Sequence, residues 1–173
     1  MKLSLRRLED LVPHEQQVSL AADKAAKALG KHEGEPLGLL WKIKFEPIGC
    51  HPLQERQLNL IEQVNHTFTY LASFKAARFL FKKHPSIGGL RLNLGTASGF
   101  DIESFDPGMI AAEVFSAVNL TNNRKLSKDL EKVSKSPARH KYVFFCVPGY
   151  ETGREQGLEK GDGVQVWSMG DLT

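Results

Sequence analysis

Residues Gly99 to Val118 (GFDIESFDPGMIAAEVFSAV) leave this chain few options. Phe100 and Ile102 alternate with Asp101 and Glu103, the period of a strand with one buried face. Asp106-Pro107-Gly108 follows, a turn signal in which Pro presets φ and Gly tolerates positive φ. Met109 to Val118 is then almost wholly apolar, with Glu113 as its single acid. The pattern predicts a β-hairpin over Gly99–Val118. With the turn centred on Pro107, Asp101 faces Glu113. Directly opposed residues project to one face with Cβ atoms roughly 4.5–5.5 Å apart. Two carboxylates that close repel, so a fold retains them when a cation sits between them or when one is protonated. Mg²⁺ is commonly held by one or two carboxylates together with water and phosphate oxygens, which makes Asp101 and Glu113 a candidate divalent-metal pair. A solvated hairpin face is the plainer alternative. Against it, Glu113 interrupts a run that reads as a buried strand, and buried Glu is rare unless paired.

The rest of the chain reads as alternating helices and strands. Met1–Val12 has leucines at helical spacing and predicts one or two helical turns before Pro13. His14–Leu29 predicts a helix with a stripe of Val18, Ala21, Ala22, Ala25, Ala28 and Leu29, ended near Gly30. A polar loop is expected over Lys31–Pro36. Trp41, Ile43 and Phe45 alternate with Lys42 and Lys44 and predict a strand over Leu37–Phe45. Leu53 to about Lys83 holds no Gly or Pro and predicts the longest helix, buried along Ile61, Val64, Phe68, Leu71, Ala72 and Phe79. Glu55 and Glu62 fall on a neighbouring polar strip of that helix. Leu90–Leu94 alternates as a half-buried strand. Arg124–Ser136 predicts a helix with Leu126, Leu130 and Val133 inward and Lys125, Lys128, Lys132 and Lys135 making it basic. Tyr142–Val147 is apolar on both faces, the mark of a strand inside a parallel crossover. Strand, helix and strand in this order predict a βαβ unit. Val164–Met169 predicts a last strand at an edge.

Composition narrows the functions. A chain of 173 residues is long enough for one domain with a real core. The net charge of +3 is compatible with a nucleic-acid partner without requiring one. Cys50 and Cys146 are far apart and lack zinc-type spacing. No Gly-x-Ser-x-Gly elbow and no phosphate-binding Gly-Lys-Ser/Thr loop occurs. No run reaches the 18 or so uncharged apolar residues of a membrane span, and the start lacks a signal-type apolar stretch. The expectation is a cytoplasmic protein with no membrane partner.

From Leu53 to Val147 the order is long helix, strand, strand with Asp101, strand with Glu113, helix, buried strand. That order resembles the core of the PD-(D/E)XK superfamily, the restriction-endonuclease-like fold. The resemblance implies an α/β (α+β) architecture with a central mixed sheet of four to five strands flanked by helices. The chain then divides into an N-terminal helical extension over 1–52, a nuclease-like core over 53–150, and a C-terminal loop and edge strand over 151–173, all in one domain. It implies that Asp101 and Glu113 bind Mg²⁺ or Mn²⁺, with Glu62, or less readily Glu55, as a helix acid. The family's lysine, two residues after the second acid, falls on Phe115. Some members carry it on the following helix, where Lys125 flanks the inward stripe and Lys128 points away from it. The implied function is metal-dependent phosphodiester hydrolysis in DNA by Asp101, Glu113 and Lys125. Arg124, Lys128, Lys42 and Lys44 would be backbone contacts, and a homodimer is the assembly by which both strands would be cut. The alternative is a binding module on the same scaffold with no catalysis.

Overall fold

The computed structural model describes residues 1–31 and 33–172. His32, inside the loop expected over Lys31–Pro36, and Thr173 lie outside the described residues. In chain order the elements are β1 (Lys2–Leu5), α1 (Val12–Gly30), α2 (Pro36–Phe45), β2 (Gly49–Cys50), β3 (Gln57–Leu58) and α3 (Leu60–Lys83). There follow β4 (Leu90–Asn93), β5 (Ile102–Ser104), β6 (Ile110–Ser116), α4 (Lys125–Ser134), β7 (His140–Cys146), β8 (Gly153–Arg154) and β9 (Val164–Ser168). They form two compact units, one of Met1–Asp10 with Thr69–Thr173 and one of Leu11–Phe68.

The first unit is built on a mixed seven-stranded sheet in the order β1-β4-β5-β6-β7-β9-β8. The fold class is α/β, as the residues predict, but the sheet is wider than the four to five strands expected. Two unexpected strands, β1 and β8, account for the difference. The helical turn expected before Pro13 is confined to a 3-10 turn at Leu8–Leu11, and Lys2–Leu5 pairs antiparallel with β4. Its Lys-Leu-Ser-Leu alternation suits a strand, and Leu5 is fully buried. Gly153–Arg154, in the stretch expected as loop, pairs antiparallel with β9, so Val164–Ser168 lies between β7 and β8 and is not the edge strand expected.

The centre of the sheet follows the expectation closely. β6 and β7 are parallel neighbours joined through α4, the βαβ unit that the apolar Tyr142–Val147 run signals. Helix α4 lays Leu126, Leu130 and Val133 against Phe115, Val143, Phe145 and Val166. The Phe115 and Phe145 rings stack at 5.9 Å. The β5–β6 hairpin keeps the predicted register, with Ile102 facing Ala112 and Glu103 facing Ala111. Gly108 takes φ +76° at the turn, which a side chain would strain.

Helix α3 contributes Thr69–Lys83 to the sheet unit and Leu60–Phe68 to the other. Its later half is the buried part, through Tyr70, Ala72, Phe74, Ala76, Ala77 and Leu80. Three members of the expected stripe, Ile61, Val64 and Phe68, are 49%, 48% and 38% exposed instead. In the Leu11–Phe68 unit the expected helix forms as α1, but of its expected stripe only Val18 and Ala21 are buried, while Ala22 and Leu29 are exposed. The strand expected over Leu37–Phe45 is a helix, α2, with Pro36 in its first turn. Proline presets helical φ there. The Trp41/Ile43/Phe45 alternation coincides with a second spacing, Leu37, Leu40, Trp41 and Lys44, which is helical. Among the described residues no helix is long and apolar enough to cross a membrane.

Candidate functional site

The site is assembled where β5 and β6 meet α4. Extending the ladder one step beyond Ile102 and Ala112 sets Asp101 against Glu113, and their side chains interlock across it. The Val114 backbone N–H donates to Asp101 Oδ2 at 2.8 Å. The Asp101 N–H donates in return to Glu113 Oε1 at 3.3 Å. Glu113 is 2% exposed, so the acid inside the apolar run is a buried one. Its partner is Lys132, whose Nζ lies 2.6 Å from Glu113 Oε1. The same ammonium donates to the Gly99 carbonyl at 2.8 Å and stands 5.3 Å from the centre of the Phe100 ring. Gly99 has φ +110°, and a Cβ there would come within 2.9 Å of Asn93 Nδ2. Only glycine therefore presents that carbonyl to Lys132 without strain.

Two turns back along α4 from Lys132, Lys125 Nζ donates to Asp129 Oδ1 at 2.7 Å. Asp129 is 3% exposed, and its Oδ2 is buried without a hydrogen-bond partner. At 100° per residue Lys125, Asp129 and Lys132 make one stripe beside Leu126, Leu130 and Val133. The helix thus delivers its apolar stripe to the core and its charged stripe to the acids of the hairpin.

Three carboxyls and the Lys125 ammonium are perturbed here. Burial raises the Asp101 carboxyl above its ordinary range, against the Val114 hydrogen bond and the charges of Lys125 and Lys132. Glu113 is raised by burial and then by the charge of Asp101, with Lys132 opposing. Asp129 is raised by burial, with Lys125 opposing and Asp101 adding. Burial pulls Lys125 down, but the Asp129 hydrogen bond and the charges of Asp129, Asp101 and Glu113 carry it above its usual value. Buried carboxyls held above their ordinary pKa favour the proton at low pH and a cation at neutral pH.

Not every expected site residue joins this cluster. Lys125 reaches Asp129, and the lysine bonded to the hairpin acid is Lys132. Lys128 and Arg124 are exposed, Arg124 with φ +54° just before α4. Glu62 is exposed in the first turn of α3, within the Leu11–Phe68 unit, its N–H donating to Asn59 Oδ1 at 2.9 Å. Glu55, Lys42 and Lys44 also lie in that unit, the two lysines on α2 and not on a strand. Phe115 is 4% exposed and belongs to the core, so the position to which the resemblance assigns a lysine is a packing position. Asp129 and Lys132 are the residues that a linear reading passes over. Their signal was the i, i+4, i+7 spacing with Lys125 on one helix face.

Among the described residues no group of three His, Cys, Asp or Glu side chains is gathered as a metal-ligand set. A two-carboxylate site asks for less. Mg²⁺ retains several waters and is commonly bound by one or two carboxylates plus substrate phosphate. Asp101 and Glu113, linked by hydrogen bonds across the hairpin, are two carboxylates of that kind. The chain matches no protein-family model, and neither a curated protein nor a solved structure at a significant level.

Proposed function

We propose that the chain is a metal-dependent phosphodiesterase of the restriction-endonuclease-like type acting on DNA. Asp101 and Glu113 would hold Mg²⁺ or Mn²⁺, with Lys132 in the role of the family's lysine. The observation that carries the reading is Lys132 Nζ at 2.6 Å from Glu113 Oε1, which restores on α4 the charge that Phe115 removes from β6. A divalent ion bound there supplies Lewis acidity toward a phosphate oxygen and a lowered pKa for an attacking water. The chain's own groups do the rest. Lys132 is poised to neutralise charge on a phosphate oxygen or to orient water. Lys125, half-buried and held charged by three carboxylates, keeps positive charge at the rim. Lys128 and Arg124, exposed at the same helix, are the backbone contacts this reading assigns, giving affinity without base choice.

A binding module with no catalysis is the second reading, and the same ion pair gives it a basis, since Lys132 also suffices to neutralise a structural Glu113. Mn²⁺ titration followed by calorimetry separates the two. A phosphodiesterase binds Mn²⁺ in the wild type, and Asp101→Asn weakens that binding at least tenfold. Equal affinity in the two proteins, or no binding, ends the metal-site reading.

A further inference from the structure

Exposed apolar residues are concentrated in one unit. Among the described residues eleven large hydrophobics are exposed, and ten of them fall within Leu11–Phe68. Among the described residues the hydrophobic core of the same unit is confined to Leu11, Val18, Ala21, Leu58 and Leu60. Helix α2 is the extreme case: none of its residues is buried, and Leu37, Leu40, Trp41 and Phe45 are 77%, 61%, 62% and 57% exposed. They line a shallow hollow with Gly38 and Lys44. The Trp41 and Phe45 rings touch at 4.5 Å, so the surface is continuous there. Gly38 adds an independent sign. A glycine inside a helix costs about 1 kcal/mol against alanine, yet a Cβ at Gly38 would meet nothing within 4 Å. The chain's own packing does not require it, whereas the close approach of another backbone would use it.

We propose that α2 is the interface of a homodimer, in which α2 packs antiparallel against α2 of a second copy across a two-fold axis. Three features select a second copy. The first is area. At about 200 Å² for a large side chain, the four residues leave about 500 Å² of apolar surface per copy. A standard interface takes about 800 Å² from each partner, of which about 65% is apolar in homodimers. The helix face alone supplies that apolar share. The second is charge polarity. Glu33 and Glu35 precede α2, and Lys42 and Lys44 lie in its second half. An antiparallel pair sets each acidic end beside the other copy's basic end, as isologous contacts require. The third is net charge. Leu11–Phe68 carries six Lys or Arg and seven Asp or Glu, so it offers an anionic lipid surface or a nucleic acid no general attraction.

The test is sedimentation velocity of the full chain between 1 and 100 µM, with three variants of exposed residues checked for native circular dichroism. The expected result is a concentration-dependent dimer, lost in Trp41→Glu. Lys44→Glu should weaken it at least tenfold, and the double exchange Glu35→Lys with Lys44→Glu should recover most of that loss, because each copy then carries both reversed ends. A wild type that stays monomeric at 100 µM overturns the proposal. So does a dimer that Trp41→Glu leaves intact. Trp41-dependent binding to anionic vesicles or to single-stranded DNA by a chain that never dimerises also overturns it, and identifies the occupant instead. None of these outcomes depends on the phosphodiesterase reading.

Discussion

Replacing Lys132 with methionine isolates what its ammonium does, because methionine keeps an apolar stem beside Phe100. In the native site the ammonium is 2.6 Å from a Glu113 side chain that is 3% exposed. Removing one partner of a buried pair usually costs 3–5 kcal/mol, chiefly because the remaining charge is stranded. Lys132 is itself 48% exposed, so water already screens part of this attraction, and about 2 kcal/mol is the expected loss at pH 8. At 2–4 °C per kcal/mol for a chain of this size, the midpoint should fall by about 4–8 °C. The sign of the pH dependence is fixed by the site. Burial and the charge of Asp101 already hold Glu113 above its ordinary range, and losing Lys132 moves it further up. A carboxyl raised in the fold carries no penalty below its unfolded pKa and an increasing one as pH climbs through its folded value. The variant should therefore match the wild type within about 2 °C at pH 4 and diverge by pH 8. Thermal melts by circular dichroism between those limits measure it. A constant deficit at every pH, or none at pH 8, would refute the ion-pair reasoning.

Asp101→Asn keeps an acceptor for the Val114 N–H while deleting a charge that burial disfavours, so its melting midpoint at pH 8 should equal or exceed that of the wild type. Calorimetric melts check it, and a drop above about 1 kcal/mol would show that the carboxylate is structurally required. Phe115→Ala should cost about 3–5 kcal/mol in a denaturant titration, since the ring fills the core under α4, while leaving Mn²⁺ affinity unchanged. His51 reports on the other unit. Its Nδ1 accepts the Leu53 N–H at 3.1 Å, and burial followed by the nearby His66 and Arg56 charges lowers it to about 4. A lowered histidine contributes stability that is complete above its unfolded pKa near 6.5 and lost as pH falls toward its folded value. Allowing for partial screening, the loss should be about 1–2 kcal/mol by pH 4. The protection factor of the Leu53 amide, its exchange rate divided into the intrinsic rate at each pH, should fall over that range in the wild type, and a constant protection factor would contradict the assignment.

The sequence disclosed those features that local chemistry decides. Asp106-Pro107-Gly108 pins the hairpin register, so the pairing of Asp101 with Glu113 could be read before any fold was known. The two-sided apolar run at Tyr142–Val147 could only be an interior strand. Features that tertiary packing decides were not legible. Which lysine of α4 meets Glu113 depends on how far the helix slides over β6, and spacing alone did not separate Lys125 from Lys132. The five-residue alternation from Trp41 to Phe45 is too short to distinguish a strand from an amphipathic helix, and Pro36 was the residue that decided it. Ile61, Val64 and Phe68 have a buried-stripe spacing yet stand exposed, because periodicity records which residues share a face and not whether anything covers it.

The central claim is best tested by incubating the purified chain with supercoiled plasmid and with single-stranded DNA in Mg²⁺ or Mn²⁺, beside Glu113→Gln and Lys132→Met. Metal-dependent cleavage by the wild type is expected, abolished in Glu113→Gln and lowered by about 10²-fold or more in Lys132→Met. Cleavage that persists in Glu113→Gln, or a wild type that binds DNA and metal yet leaves both substrates intact, would contradict that claim.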